Sequence, residues 1–336
     1  MRKGGIMKSL LLGLVAVVAL SALAGPDEFP RTVAGKPDFS GRYDIATLTP
    51  YTRRGPEAPQ YIDAEAAAQR EDGAVRRYEH SMRDRDPNRR PPPKGANVDS
   101  RSYDPVWFDQ GLRMFEIGGR IPGSIIVDPP NGQLPPPSEA AIARYRAWQQ
   151  RQQEGPGRFD NPEGLNLQDR CLYLGHVTVP ALPVVYNNIK TIVQTDDHVM
   201  ILIEWMHWAR VARLNAQHLP DDMRSLAGDS IGWWEDDTLV VETTNFFSSP
   251  GVPDQGKRVV ERFSPLTRDS LLYRFTVHDP NRAAPYTGEM PWPKTESKMY
   301  EYACHEGNYS MFNTLRGARA QERAALALGD ESSDTD

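Results

Sequence analysis

From residue 169 onward, hydrophobic and polar residues alternate in short runs separated by turn-forming residues. This two-residue period is typical of β-strands that bury one face. No helical segment lies between neighbouring runs, so consecutive strands are expected to pair antiparallel. The predicted strand pairs occupy residues 189–195 and 198–213, 231–235 and 238–246, 258–263 and 271–278, and 286–292 and 297–304.

About eight strands in such a meander predict a mainly β fold, in which residues 169–316 close into a lipocalin-like antiparallel barrel. Closure removes the exposed edges of the outer strands. An open sheet and a two-sheet sandwich are the alternatives that the pattern leaves.

Residues 25–168 are rich in proline and predict an irregular N-terminal arm with two helices, which wraps around the barrel. Asp63 is placed to cap a helix that runs to about residue 82, and Ser138 to cap a second helix that ends at Gly155. Ser, Thr, Asp and Asn are the residues that accept hydrogen bonds from the first free amides of a helix. Peripheral helices are therefore expected in this arm.

The second helix has one apolar stripe, which is expected to dock on the main body. Its members recur at helical spacing: Ile142, Tyr145 and Trp148. Short strand candidates occur at residues 41–45, 107–117 and 124–127, and residues 83–105 predict a charged, proline-rich linker or loop. Residues 317–336 predict a short helix that runs into an acidic, disordered tail.

The N-terminus has the three regions of a secretory signal peptide. Basic residues precede an apolar run at residues 10–20, and Ala22 and Ala24 give the small-x-small pattern that signal peptidase recognises. The apolar run is too short to span a bilayer comfortably. Residues 1–24 are therefore predicted to be a signal peptide, with cleavage before Gly25 and a periplasmic or secreted product that has no membrane segment.

Charge and cysteine content limit the classes of partner. Loss of residues 1–24 leaves 36 of the 39 basic residues against 45 acidic residues, a net charge of −9, which argues against nucleic acid or an anionic membrane surface. The two cysteines, Cys171 and Cys304, favour a disulfide in an oxidising compartment. Two buried thiols or a nucleophilic cysteine are the alternatives. No pattern indicates an oligomeric state.

Three ionisable residues interrupt the apolar strand predicted at residues 198–213: Glu204, His207 and Arg210. On a regular strand Glu204 and Arg210 share one face and His207 lies on the other. One interpretation is a buried ion pair between Glu204 and an arginine, with His207 hydrogen-bonded in the core. The other is a cavity in which His207 or Glu204 accepts a proton.

The densest polar cluster is the CHEGNY word at residues 304–309, at the end of the last predicted strand. His305 and Glu306 are candidate catalytic groups there, and Asn308 and Tyr309 are candidate binding groups. A disulfide at Cys304 would hold them rigidly and bring residues 169 and 170 close. A solvated strand end with a local hydrogen-bond network is the alternative.

Aromatic and amide side chains suggest where a small molecule would bind. Trp205 and Trp233 are candidates for the floor of such a site, although packing in the core is their commoner use. Tyr186 and Asn188 are candidate hydrogen-bond partners for a ligand, or members of a turn.

No organic cofactor is predicted, because the sequence has no phosphate loop and no dinucleotide fingerprint. No metal is predicted either, since the seven histidines show no local ligand spacing. A site assembled from residues distant in sequence stays open.

Six words in the sequence together resemble a broad group of uncharacterised exported bacterial proteins that share a GRWEGDTLVVETTGF-like central motif. They are PDFSGRY, YNNIKTIVQT, IEWMHWARV, GWWEDDTLVVETTNF, LLYRFTVHDP and YEYACHEGNY. The resemblance covers roughly residues 160–320 and the SGRY word. Members of the group more often carry Gly-x-Trp at that word, which also opens the first strand of lipocalin-like barrels; Tyr43 stands in its place here. The resemblance implies export and a barrel, and it implies no activity.

These residues favour an exported, cofactor-independent enzyme that performs acid/base chemistry of the isomerase, lyase or hydrolase type. Its substrate would be a small, partly apolar or aromatic molecule. The alternative is a non-catalytic periplasmic binding protein of lipocalin-like type, and a third class is a structural module of the cell envelope. Histidine or glutamate side chains that converge on one concave site with shifted pKa values would favour the enzyme. An aromatic and aliphatic cavity with the ionisable groups paired off outside it would favour the binding protein.

Overall fold

A computed structural model describes residues 28–83, 88, 90, 108–154, 157–249, 252–253 and 256–333. The predicted signal peptide, residues 1–24, and most of the predicted linker lie outside these residues.

The described residues form a mainly β fold with few helices. The helices are α1 (Ala64–Ser81), α2 (Glu139–Glu154), α3 (Gly175–Thr178) and α4 (Tyr309–Ser333). The strands of the N-terminal part are β1 (Gly41–Asp44), β2 (Tyr61–Ile62), β3 (Ile121–Pro122) and β4 (Ile126–Asp128). Those that follow are β5 (Ile189–Gln194), β6 (His198–Ile203), β7 (Trp208–Leu214), β8 (Asp229–Glu235), β9 (Thr238–Thr244), β10 (Phe247–Ser249), β11 (Val252–Pro253), β12 (Arg258–Thr267), β13 (Ser270–His278) and β14 (Tyr286–Pro293).

Ten of the described strands form one sheet, in the order β1-β5-β6-β7-β8-β9-β12-β13-β14-β4. The sheet curls into a half-barrel. A single antiparallel bridge joins Tyr43 of β1 to Lys294, just beyond β14, and the amide of Thr295 donates to the carbonyl of Arg42 over 2.9 Å. The prediction of a mainly β fold with few helices is therefore confirmed.

Three details of the predicted meander are wrong. The pairing of β7 with β8 is parallel, because residues 215–228 carry the chain back so that Ser230 of β8 lies beside Ala212, near the end of β7. Residues 297–304 are irregular and form no strand. Two outer strands, β1 and β4, come from the N-terminal part and extend the sheet beyond the eight predicted strands.

Alternation of side chains builds the core on the concave side of the sheet. Along β13, Leu271, Tyr273, Phe275 and Val277 are fully or almost fully buried. Gly288 lies opposite Phe275 on β14, where a Cβ atom would come within 2.2 Å of the Phe275 ring, so only glycine fits. Large side chains thus fill the concave side.

Of the helix predictions, the two N-caps are confirmed and the docking of α2 is wrong. The N-caps are confirmed, since Asp63 accepts from the amide of Ala66 over 2.7 Å and Ser138 accepts from that of Ala141 over 3.2 Å. The docking of the α2 stripe is wrong, because its residues lie on the surface: Ile142, Tyr145 and Trp148 are 39%, 58% and 48% exposed. A Tyr145–Trp148 stack, with ring centroids 5.8 Å apart, covers part of this apolar area from within the helix itself. The C-terminal helix begins at Tyr309, earlier than expected.

Among the described residues, none of the helices is long and apolar enough to cross a membrane.

Candidate functional site

The strand predicted at residues 198–213 is broken in the middle. A 3-10 turn, Trp205–His207, separates β6 from β7, and both Met206 (φ 55°) and His207 (φ 50°) adopt left-handed backbone conformations. The break moves Glu204 and His207 off the faces of the strands to the end of the sheet, while Arg210 stays on β7 facing inward. The three ionisable residues therefore have three different environments.

Arg210 is bound inside the half-barrel. Its guanidinium contacts both carboxylate oxygens of Glu261 on β12, and the Tyr273 hydroxyl donates to the same carboxylate over 2.6 Å. Arg210 and Glu261 are 4% and 0% exposed. Burial raises the pKa of Tyr273 well above its usual value, and the negative charge of Glu261 adds to the effect. The ion pair expected between Glu204 and an arginine is instead one between Glu261 and Arg210.

Glu204 is buried and serves the backbone. Its Oε2 accepts from the amide of Ile189 over 3.1 Å, and its Oε1 accepts from the amide of Tyr300 over 3.2 Å. One carboxylate therefore ties the start of β5 to the irregular segment that follows β14.

His207 holds the same segment. Its Nε2 lies 3.0 Å from the carbonyl oxygen of Tyr300, and its Nδ1 accepts from the amide of Tyr302 over 3.4 Å. This pattern assigns the proton of the neutral ring to Nε2. Both ring nitrogens are thus engaged by the backbone, although the side chain reaches the surface.

Three aromatic rings stack where this segment crosses the end of the sheet. The centroid of Trp205 is 4.6 Å from that of Tyr186 and 4.9 Å from that of Tyr302, with interplanar angles of 30° and 26°. Phe108 meets Tyr186 edge to face at 6.3 Å. The rings of Tyr186, Trp205 and Tyr302, called the aromatic stack below, combine a buried centre with half-buried flanks.

Four charged residues lie beside the aromatic stack: Asp44, Asp109, Lys190 and Glu204. The charges of Asp44 and Glu204 act on both Asp109 and Lys190. We call the four residues the charged corner. Partial burial, which is the largest cause, and the charges of Asp44 and Glu204 together raise the pKa of Asp109 to about 6, although the residue is exposed at the surface. A carboxyl group that titrates this close to neutrality can take up and release a proton under physiological conditions.

Lys190 is the most perturbed member of the charged corner. It lies on β5 opposite Tyr43 of β1 and Ile203 of β6, is completely buried, and its Nζ has no hydrogen-bond partner among the described residues. Burial lowers the pKa of its amine to about 7, against the opposing attraction of Glu204 and Asp44. Sequence reasoning missed Lys190 and Asp109. The sequence could have indicated Lys190 as a buried charge, because it is the one charged residue in IKTIVQ and shares the inward face of the strand with Ile192.

Asn188 fixes the loop that carries Asp109. Its side chain accepts from the amide of Val184 over 2.8 Å and donates to the carbonyls of Val184, over 2.8 Å, and Asp109, over 2.5 Å. Asn188 is fully buried, so it positions the backbone of the charged corner and has no surface from which to contact a ligand.

The CHEGNY word, residues 304–309, directly follows the irregular segment that Glu204 and His207 hold. The predicted disulfide between Cys171 and Cys304 is confirmed, with a Cα–Cα distance of 5.7 Å. Asn308 accepts from the amide of Met311 over 3.2 Å, near the start of α4, and donates to the carbonyl of Asp169 over 2.8 Å. Its neighbours His305, Glu306 and Tyr309 are exposed, the last at 74%.

Trp233 lies apart from these residues, on β8, where its indole donates to Glu235 over 3.0 Å. In the part of the chain that the structure describes, no three His, Cys, Asp or Glu side chains are grouped closely enough to hold a metal ion.

Comparison of the chain with family models, curated proteins and solved structures gives no match.

Proposed function

We propose that the protein is an enzyme that performs acid/base chemistry, without an organic cofactor, on a small aromatic or partly apolar molecule. The proposal rests on one observation: a carboxyl group with a pKa of about 6, Asp109, lies in a charged corner beside the aromatic stack. Asp109 is the proposed proton acceptor. The half-buried flanks of Tyr186 and Tyr302 are the proposed substrate surface.

The role of Lys190 in this proposal is electrostatic. Its amine lies near the carboxylates of Glu204 and Asp44, which raise its pKa, and burial keeps it close to half protonated at pH 7. A proton on Lys190 stabilises negative charge at the corner, whether on Asp109 or on a substrate that has lost a proton. Two groups with pKa values moved toward neutrality from opposite sides are suited to exchange protons with a substrate.

A non-catalytic small-molecule binding protein is the second candidate. It is favoured by the pairing of the other ionisable groups: Glu204 and His207 are engaged by backbone amides and carbonyls, and Arg210 by Glu261. Such pairing leaves the aromatic stack as the main recognition surface.

Proton exchange in a simple aromatic ketone tests the proposal. We expect the protein to accelerate exchange of the α-protons of phenylacetone in D2O, measured by ¹H NMR. The rate should rise between pH 5 and 7, with a midpoint near pH 6, because Asp109 must be ionised to accept a proton. Asp109→Asn should lower the rate by about 100-fold or more, as loss of a general base does.

The control is Asp221→Asn, which removes an exposed carboxylate outside the corner and should leave the rate unchanged. Saturable binding of phenylacetone that Tyr186→Ala weakens, with no exchange above buffer, would identify the binding protein. If the protein shows neither binding of phenylacetone nor exchange of its protons, both candidates are refuted.

We further propose that the chain is exported and loses residues 1–24, that it belongs to the exported bacterial group it resembles, and that the sheet closes into a lipocalin-like barrel. The confirmed disulfide supports an oxidising compartment. The bridge between Tyr43 and Lys294 supports closure. The proposed partner is a small molecule and not nucleic acid, in keeping with the acidic net charge.

A further inference from the structure

The irregular segment between β14 and α4, residues 295–308, is called the strap below. It crosses the end of the sheet, and the ring of its Tyr302 lies against that of Trp205, with centroids 4.9 Å apart. Trp205 is only 4% exposed, whereas every residue of the strap is exposed or half-buried. The strap therefore covers a buried indole without burying a core of its own.

The first half of the strap, residues 295–302, is held by a few hydrogen bonds. The amide of Tyr300 donates to Glu204 over 3.2 Å, and its carbonyl accepts from His207 over 3.0 Å. The amide of Tyr302 donates to the same imidazole over 3.4 Å. A segment with few buried apolar contacts opens locally at a lower free energy than the strands of a core.

The second half of the strap is tied to the rest of the described chain by two bonds. The disulfide joins Cys304 to Cys171, 133 positions earlier in the sequence, and the Asn308 side chain donates to the carbonyl of Asp169 over 2.8 Å. One hydrogen bond contributes much less than a covalent link. The disulfide therefore decides whether this half of the strap stays in place.

The two ends of the disulfide differ in their surroundings. Cys171 is 8% exposed and belongs to a segment that packs on the sheet, where Tyr173 meets Trp208 edge to face at 5.0 Å. The indole of Trp208 also donates to the carbonyl of Leu172 over 3.0 Å. Cys304 is half-buried and lies in a turn of the strap. The disulfide thus joins a fixed point to a movable one, and its movable end is the more exposed.

The closed strap leaves a donor of Trp205 unsatisfied. The indole Nε1 atom is buried and has no hydrogen-bond partner among the described residues. A buried donor without an acceptor is costly, and contact with water satisfies it when the ring is uncovered. This gain lowers the free energy that opening of the strap requires.

We propose that the Cys171–Cys304 disulfide is a redox-controlled clasp. A dithiol reductant opens it, the strap lifts, and Trp205 becomes accessible at the end of the sheet. Control of substrate binding by this clasp rests on the proposed function, whereas the opening itself does not.

The chemical step is thiol–disulfide exchange. One thiolate of the reductant attacks the Sγ atom of Cys304, and the sulfur of Cys171 leaves as a thiolate that takes up a proton. The second thiolate of the reductant then breaks the mixed disulfide and releases Cys304, which also becomes a thiol. The dithiol is oxidised to a disulfide, and the disulfide of the protein is reduced to two thiols.

Hydrogen exchange measures the opening in the native, disulfide-bonded protein before and after treatment with dithiothreitol. Every sample is fully reduced in the acid quench, so that mass spectrometry compares the same peptides. We expect peptides from residues 295–308 to exchange at least about 10-fold faster after reduction, because local opening becomes easier. Peptides from β12 and β13 should keep their rates, and reoxidation should restore the slow exchange of the strap.

Acrylamide quenching of tryptophan fluorescence reports the exposure of Trp205. Quenching should increase on reduction of the parent protein and stay unchanged in Trp205→Phe. The matched control is Trp233→Phe, on β8, which should retain the increase. The double variant Cys171→Ser, Cys304→Ser should behave like the reduced protein and not respond to dithiothreitol; if it does not fold, reduction of the native protein decides.

Three results would overturn the proposal. The first is unchanged exchange in the strap although the intact mass shows complete reduction. The second is a disulfide that resists dithiothreitol until urea unfolds the protein. The third is equal acceleration in the strap and in β12 and β13, which would make the disulfide a stabiliser of the whole fold. Failure of the acid/base proposal leaves these results unaffected, because none of the measurements uses a substrate.

Discussion

Replacing Lys190 with methionine should make the protein more stable. The amine is fully buried without a hydrogen-bond partner among the described residues, and its pKa falls from 10.5 to about 7. Between those two values the unfolded chain binds one proton more than the folded chain. The free energy of unfolding therefore rises with pH by about 1.4 kcal/mol per pH unit, and this contribution is lost as the pH falls toward 7.

The magnitude follows from the same two values. At pH 7.5 the folded protein is less stable than one without this amine by about 4 kcal/mol, and between pH 7.5 and 9.5 it recovers about 2–3 kcal/mol. Lys190→Met removes both effects and keeps a side chain of similar length in the core. We expect the variant to be several kcal/mol more stable at pH 7.5 and to have a flatter dependence on pH.

Urea unfolding followed by tryptophan fluorescence at pH 7.5, 8.5 and 9.5, with the disulfide intact, measures these free energies. The range ends below pH 10, where buried tyrosines with raised pKa values, such as Tyr273, begin to destabilise the fold. Lys298→Met, at an exposed position, is the control and should retain the slope of the parent protein. Equal slopes for the parent and Lys190→Met, or a variant less stable than the parent at pH 7.5, would refute the reasoning.

Two further outcomes are expected. Glu261→Gln should lower the free energy of unfolding by about 3–5 kcal/mol, because it leaves Arg210 buried without its counter-charge, and the double variant Arg210→Met, Glu261→Leu should recover most of that loss. Urea unfolding checks both, and a double variant no more stable than the single one would contradict the account. Export predicts that the protein in a periplasmic extract begins at Gly25, which intact-mass spectrometry measures; a product that retains residues 1–24 would contradict it.

Local patterns predicted the elements that local forces determine. The alternation of residues 258–278 predicted the β12–β13 hairpin, because each side chain reports which face of the strand is buried. Asp63 and Ser138 predicted helix starts, because a cap bonds to amides only three residues away. The disulfide followed from the compartment and the even number of cysteines.

Such local patterns could not predict the charged corner. Lys190 and Asp109 are 81 positions apart in the chain, and each interacts with Asp44 and Glu204 only because folding brings the segment of Asp109, held by Asn188, next to β5. The break at Trp205–His207 was also missed, since Met206 adopts a left-handed conformation that its residue type does not favour. Contacts with residues 300–302 supply the hydrogen bonds that hold this turn, and nothing in the local sequence indicates them.

The position of β1 has a consequence for how the chain assembles. Tyr43 pairs with Lys190, and Thr287 of β14 pairs with Asp128 of β4, so both outermost strands of the sheet reach their partners across more than a hundred residues. The N-terminal part therefore covers free amides and carbonyls of residues 189–192 of β5 and residues 287–288 of β14, which would otherwise be open to other molecules. Until these long-range pairings form, a newly made chain carries two open strand edges, and its risk of self-association is greatest in that interval.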